Sequence, residues 1–136
     1  MERMGRIMTS VTVGSFSEPG REIRSDALVD TGAYCLMLPA AWKRRLGPLP
    51  ICRPVEVELA DHRTASGEMC GPVRIQIAGF EPFAGEVLFL EMEEPSGGFE
   101  VLIGYLTLEQ ARLVVDTIRH RLVRYPYVDL KRQRVA

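Results

Sequence analysis

Alternation of apolar and polar residues recurs along most of this chain, and a period of two is the pattern of half-buried β-strands, not of helices. Ile7, Val11 and Val13 share one parity while Met8, Ser10 and Thr12 take the other, so residues 7–13 read as a strand. Residues 15–20, closing on Pro19-Gly20, are turn chemistry, after which Ile23, Ser25, Ala27 and Val29 mark a returning strand. Val55-Glu56-Val57-Glu58-Leu59 and Val73-Arg74-Ile75-Gln76-Ile77 alternate on either side of the polar, turn-like residues 61–67, which predicts a long hairpin. The short apolar run Leu36-Met37-Leu38 stops at Pro39, Val87-Leu88-Phe89-Leu90 reads as a buried strand, and Val101-Leu102-Ile103 as a central one. Residues 113–116 and 121–124 read as a closing strand pair. Helical signals are few: residues 40–46 suit one helical turn, and Thr107-Leu108-Glu109-Gln110 fits a capping box opening a short helix that ends near Arg112. The expected class is all-β.

With 136 residues, 46% hydrophobic and 26% charged, the chain can build one core and is too short for two ordinary domains. A single domain over residues 1–136 is expected, with residues 131–136 frayed. The net charge of −1, from 17 basic and 18 acidic residues, gives no field for nucleic acid or anionic lipid. Arg119, Arg121 and Arg124 form a local basic strip without interleaved aromatics, so no nucleic-acid partner is expected. The N-terminal residues lack an apolar signal stretch, and no later segment approaches the roughly 20 apolar residues of a membrane span; a cytoplasmic protein with no membrane partner is expected. Cys35, Cys52 and Cys70 match no disulfide framework or zinc knuckle, and all three are expected to be reduced, Cys35 packed in the interior.

Chemistry concentrates at Val29-Asp30-Thr31-Gly32-Ala33, where an aspartate follows the apolar run Ala27-Leu28-Val29 and precedes a hydroxyl residue and a glycine. A carboxylate delivered by a buried strand is costly to desolvate unless hydrogen bonds or a function compensate, and Gly32 lets backbone amides come close to it. Val101-Leu102-Ile103-Gly104 supplies a second apolar run ending in glycine. Elsewhere the plainer readings hold. Asp116-Thr117 has Ile118 where a glycine would be needed and reads as structural; His120 lacks ligand-spaced partners; Glu91, Glu93 and Glu94 form a solvated loop without calcium-loop spacing. No metal or other cofactor is expected.

An N-terminal hairpin, Asp-Thr-Gly, a second hairpin, an apolar-apolar-Gly strand and a short helix thus follow one another over residues 7–123, and this order resembles that of retropepsin-like aspartic proteases. The resemblance implies an all-β, retropepsin-like (acid protease) closed barrel with one short helix near the C-terminus. In that family each subunit supplies one Asp-Thr/Ser-Gly, so a single copy implies a homodimer. It further implies an aspartic endopeptidase in which Asp30 is catalytic, Thr31, Gly32 and Ala33 complete the active-site loop, and Ile103 and Gly104 support it. Ala60, Asp61, His62, Arg63 and Thr64 stand at the tip of the flap, the hairpin that would cover an extended peptide or protein substrate. They depart from the glycine-rich viral flap, and His62 itself reads as a solvated turn histidine. The alternative is a catalytically silent module of the same fold that dimerises or binds peptides; activity only after N-terminal trimming, or within a larger assembly, is a third reading.

Overall fold

A computed structural model describes residues 6–59, 61–92 and 100–126. The strands are β1 (Ile7–Gly14), β2 (Glu22–Val29), β3 (Met37–Pro39), β4 (Ile51–Glu58), β5 (Thr64–Ile77), β6 (Phe83–Leu90), β7 (Leu102–Ile103), β8 (Leu113–Asp116) and β9 (Arg121–Arg124). A 3₁₀ helix covers Ala40–Leu46, and the α-helix α1 covers Tyr105–Ala111.

The expected alternation organises the sheet. β1 and β2 form an antiparallel hairpin in which Ile7 faces Val29 and Val13 faces Ile23, and its turn contains Gly20 at φ +103°, a conformation that a side chain would strain. Strands run in the order β1-β2-β7-β3-β6-β5-β4, and a further pairing of β1 with β5 closes the first six into a ring. Within it β2 pairs β7 and β3 pairs β6 in parallel, while β3 crosses β7 antiparallel. Val11, Val13, Ile23, Leu36, Leu38, Ile75, Phe89 and Ile103 point inward and are almost fully buried, each contributing about 1.5–3 kcal/mol by leaving water.

β4 lies outside the ring and pairs only with β5, from Ile51 opposite Gly71 to Glu58 opposite Thr64. It is exposed except at the half-buried Val55 and Val57. Pro54, with no N–H to offer, guards this open edge against further pairing. β8 and β9 make a separate two-stranded sheet, anchored to the main core through Leu113. Among the described residues no helix is long and apolar enough to cross a membrane.

Several boundaries differ from expectation. β5 runs for 14 residues, taking residues 64–67 out of the expected turn and leaving a tip of residues 59–63. The 3₁₀ helix keeps the expected residues 40–46 but winds through more than the one turn expected. α1 begins at Tyr105 after Gly104, so Thr107 is not its cap but lies within it, fully buried. The expectation of three reduced cysteines also fails: Cys52 and Cys70 are directly opposite on β4 and β5 and form a disulfide, leaving Cys35 free and buried. Neither their sequence spacing of 18 nor composition shows that pairing; only the hairpin register brings them together. The expected acidic loop lies mostly, and the frayed tail wholly, outside the described residues.

Candidate active site

Asp30 follows directly on β2 and is held by β7 alongside it. Leu28 donates its amide to Val101 O at 2.8 Å and Asp30 donates its own to Ile103 O at 2.9 Å, which continues the parallel pairing to the aspartate itself. The loop then turns on its own carboxylate: Gly32 N donates to Asp30 Oδ1 at 2.9 Å, and Ala33 N to Asp30 O at 3.0 Å. Asp30 is half-buried, while Thr31 and Gly32 form an exposed tip.

Beyond the tip, the loop is sewn to the start of α1. Tyr105 N donates to Ala33 O at 2.9 Å and Leu106 N to Tyr34 O at 2.8 Å, so amides that would lack partners at a helix start are satisfied by the loop. Thr107 Oγ1 accepts from Leu36 N at 2.7 Å. Gly104 makes this closeness possible, since a Cβ there would lie 2.5 Å from Ala33 O and 2.6 Å from Tyr34 C. Ile103 is fully buried beneath the same loop. Asp30, Thr31, Gly32, Ala33, Ile103 and Gly104 are therefore brought together. Sequence reading missed Tyr34 and Tyr105 and took Thr107 for a helix cap; the two tyrosine rings meet edge to face at 5.6 Å.

The β4–β5 hairpin leans on this loop. Val55 and Val57 pack against an apolar cluster of Ala33, Cys35, Met37, Met69 and Leu88. Burial pushes the Cys35 thiol up to about 12, with Glu86 adding to the rise against a backbone hydrogen bond from Leu88, so it is an inert packing group. At the hairpin tip, Leu59 N donates to Arg63 O at 2.7 Å and His62 adopts φ +66°. His62 Nδ1 lies 3.2 Å from Glu58 Oε1 with its side chain 88% exposed, and Arg63 pairs with Asp61 at 2.6 Å. Thr64 opens β5. Asp61, His62 and Arg63 thus form the tip, their hydrogen bonds among the described residues staying within the hairpin and none reaching residues 30–33, and Ala60 lies outside the described residues. A groove of about 860 Å³ runs between Ala40, the hairpin residues Arg63 and Ser66, and Glu91, and Asp30 does not line it.

The remaining candidates have structural partners. Asp116 Oδ1 accepts from Ile118 N and Arg119 N, both at 3.1 Å, and Arg119 and Arg121 flank its other oxygen; the Arg119 amide in particular holds this carboxyl below the usual carboxylate range. His120 is exposed at φ +52°. Cys52, Glu68 and Cys70 cluster with ligand-type atoms within 4.8 Å of one another, but both sulfurs are joined and Glu68 binds Lys43 at 2.8 Å.

A six-strand ring with a hairpin projecting from it, and an Asp-Thr-Gly loop braced by the strand leading into a short helix, is the all-β fold of retropepsin-like proteases. Among solved structures the chain is similar to EIAV protease complexed with the inhibitor HBY-793, with a TM-score of 0.57 and 17% identity over 80% of this chain and 90% of that one. No family model matches the sequence, and no curated protein does. The likeness is one of fold.

Proposed function

We propose that this chain is an aspartic endopeptidase whose active unit is a homodimer, with Asp30 of two copies forming the catalytic pair. The observation that carries this reading is the Asp30 loop: a half-buried carboxylate with an amide on one oxygen, clamped by Gly104 and presented beside an exposed Thr31-Gly32 tip, in a fold shared with a protease.

Two carboxylates brought to about 3 Å share one proton, because like charges that close do not both ionise readily. The ionised member takes a proton from water as the water oxygen attacks the peptide carbonyl. The protonated member gives its proton to the developing tetrahedral oxygen. The carboxyl that took the water proton passes it to the leaving nitrogen as the C–N bond breaks, the other carboxylate takes a hydroxyl proton back from the collapsing intermediate, and neither a metal nor a covalent intermediate is involved. Thr31 of each copy holds the two loops in register across the axis, and Gly32 keeps an amide against the carboxylate. The substrate is an extended peptide lying as an added strand between the dyad and the flap, whose tip carries Asp61, His62 and Arg63.

Purified Asp30→Asn protein should lose at least about 10³-fold in peptide hydrolysis, the scale of losing a general acid–base pair, while its circular dichroism and its sedimentation match those of the parent. Hydrolysis surviving in this variant would reject the reading. A parent protein that binds peptides without cutting any of a diverse library would favour the silent module instead.

A further inference from the structure

The flap hairpin carries a covalent tie that the proposed chemistry does not use. Cys52 and Cys70 face each other one rung in from the hairpin's open end, where Ile51 meets Gly71. Cys52 sits on the edge strand of the main sheet: β4 pairs with a single neighbour, and only Val55 and Val57 are even half-buried. Its remaining attachments are exposed, such as Arg53 to Glu86 at 3.3 Å and Glu56 to Ser66 at 3.2 Å. Those two valines nevertheless cover the apolar cluster that includes Ala33 of the Asp30 loop. The ordering of β4 and the cover over the site are therefore linked, and the disulfide is the one covalent bond across that seam among the described residues.

We propose that the Cys52–Cys70 pair is a redox lock on the flap: joined, it pins β4 in register on β5 and keeps Val55 and Val57 over the Asp30 loop; reduced, it lets β4 fray and loosens the cover. The exchange partner is a small thiol or a dithiol. Cys52 lies on the exposed edge whereas Cys70 is fully buried, so the attacking thiolate reaches Cys52 Sγ. The S–S bond breaks, Cys70 leaves as a thiolate and takes a proton, and a mixed disulfide forms at Cys52. A second thiol, from the same dithiol or from another molecule of a small thiol, attacks that mixed disulfide, releasing Cys52 as a thiol and the reductant as a cyclic or a linear disulfide. Re-formation by glutathione disulfide runs the same steps backwards, with two glutathione thiols as products. Cys35 takes no part, since its thiol is buried among Ala33, Met37 and Leu88.

This lock rests on the protease reading only for its consequence, and its test needs no substrate. Full-length protein is oxidised with glutathione disulfide, or reduced with dithiothreitol, and amide hydrogen exchange is followed by mass spectrometry. Reduction should speed exchange over residues 51–58 by about tenfold or more, as expected when a local opening equilibrium loses a crosslink, and leave residues 7–29 unchanged. Cys52→Ser should exchange at the fast rate in both conditions. Equal exchange over 51–58 in the two redox states, or a redox response that survives in Cys52→Ser, overturns the lock. A peptide assay on the same samples then separates the two readings: a fall of about threefold or more in kcat/KM on reduction joins lock to catalysis, whereas responsive exchange without any hydrolysis keeps the lock and removes the protease.

Discussion

Thr107 shows how much a single hydroxyl can organise. It is fully buried and its Oγ1 takes the amide of Leu36, 71 residues away in sequence, fixing the far end of the loop that begins at Asp30. Thr107→Val keeps the shape and leaves that amide buried without a partner, so the urea midpoint should drop by the equivalent of about 1–3 kcal/mol; an unchanged midpoint would show the bond to be dispensable. Gly104→Ala should cost about 3 kcal/mol or more, because the methyl meets backbone of residues 33–35 and not a side chain that can swing away. The aspartate was legible because its surroundings are local: an apolar strand, a hydroxyl residue and a glycine in succession. Thr107 was misread as a helix cap because its true partner is far along the chain, and Tyr34 and Tyr105 carried no mark because their contact exists only once β7 has brought α1 to the loop.

Strands were legible where one face is buried and the other wet, as in β1, where Ile7, Val11 and Val13 face the core. The signal failed where neither face is buried: β4 begins at Ile51 among exposed residues, and β5 takes up polar residues 64–67 because pairing with β4 and not burial orders them. The same lack of register information hid the disulfide. The β8–β9 hairpin has its own electrostatic hinge in Asp116, whose carboxyl the amides of Arg119 and Ile118 and the charges of Arg119 and Arg121 hold below the ordinary carboxylate range. A group depressed on folding stabilises fully above its unfolded value near about 3.9 and loses that contribution as pH falls through the lower folded value. Thermal melts between about pH 6 and pH 2 should therefore show the parent losing an increment that Asp116→Ala, less stable at the upper end, no longer has to lose. Parallel melting curves across that range would mean that the turn owes nothing to the charge.

At the scale of the whole molecule, the order of pieces along the chain resembled that of a closed all-β fold, and the ring is there, closed by β1 on β5 with β4 outside it. Whether two copies pair is not written into the pattern of a single chain. The exposed Thr31-Gly32 tip beside a half-buried Asp30 is the feature that a second copy would complete across a two-fold axis. The most direct test mixes parent protein with Asp30→Asn protein at fixed total concentration, lets the copies exchange, and follows peptide hydrolysis against the mixing ratio. If each active unit needs Asp30 from both copies, an equal mixture should retain about a quarter of the parent rate. A mixture retaining about half, in line with the parent fraction, would show that one copy suffices and would contradict the account.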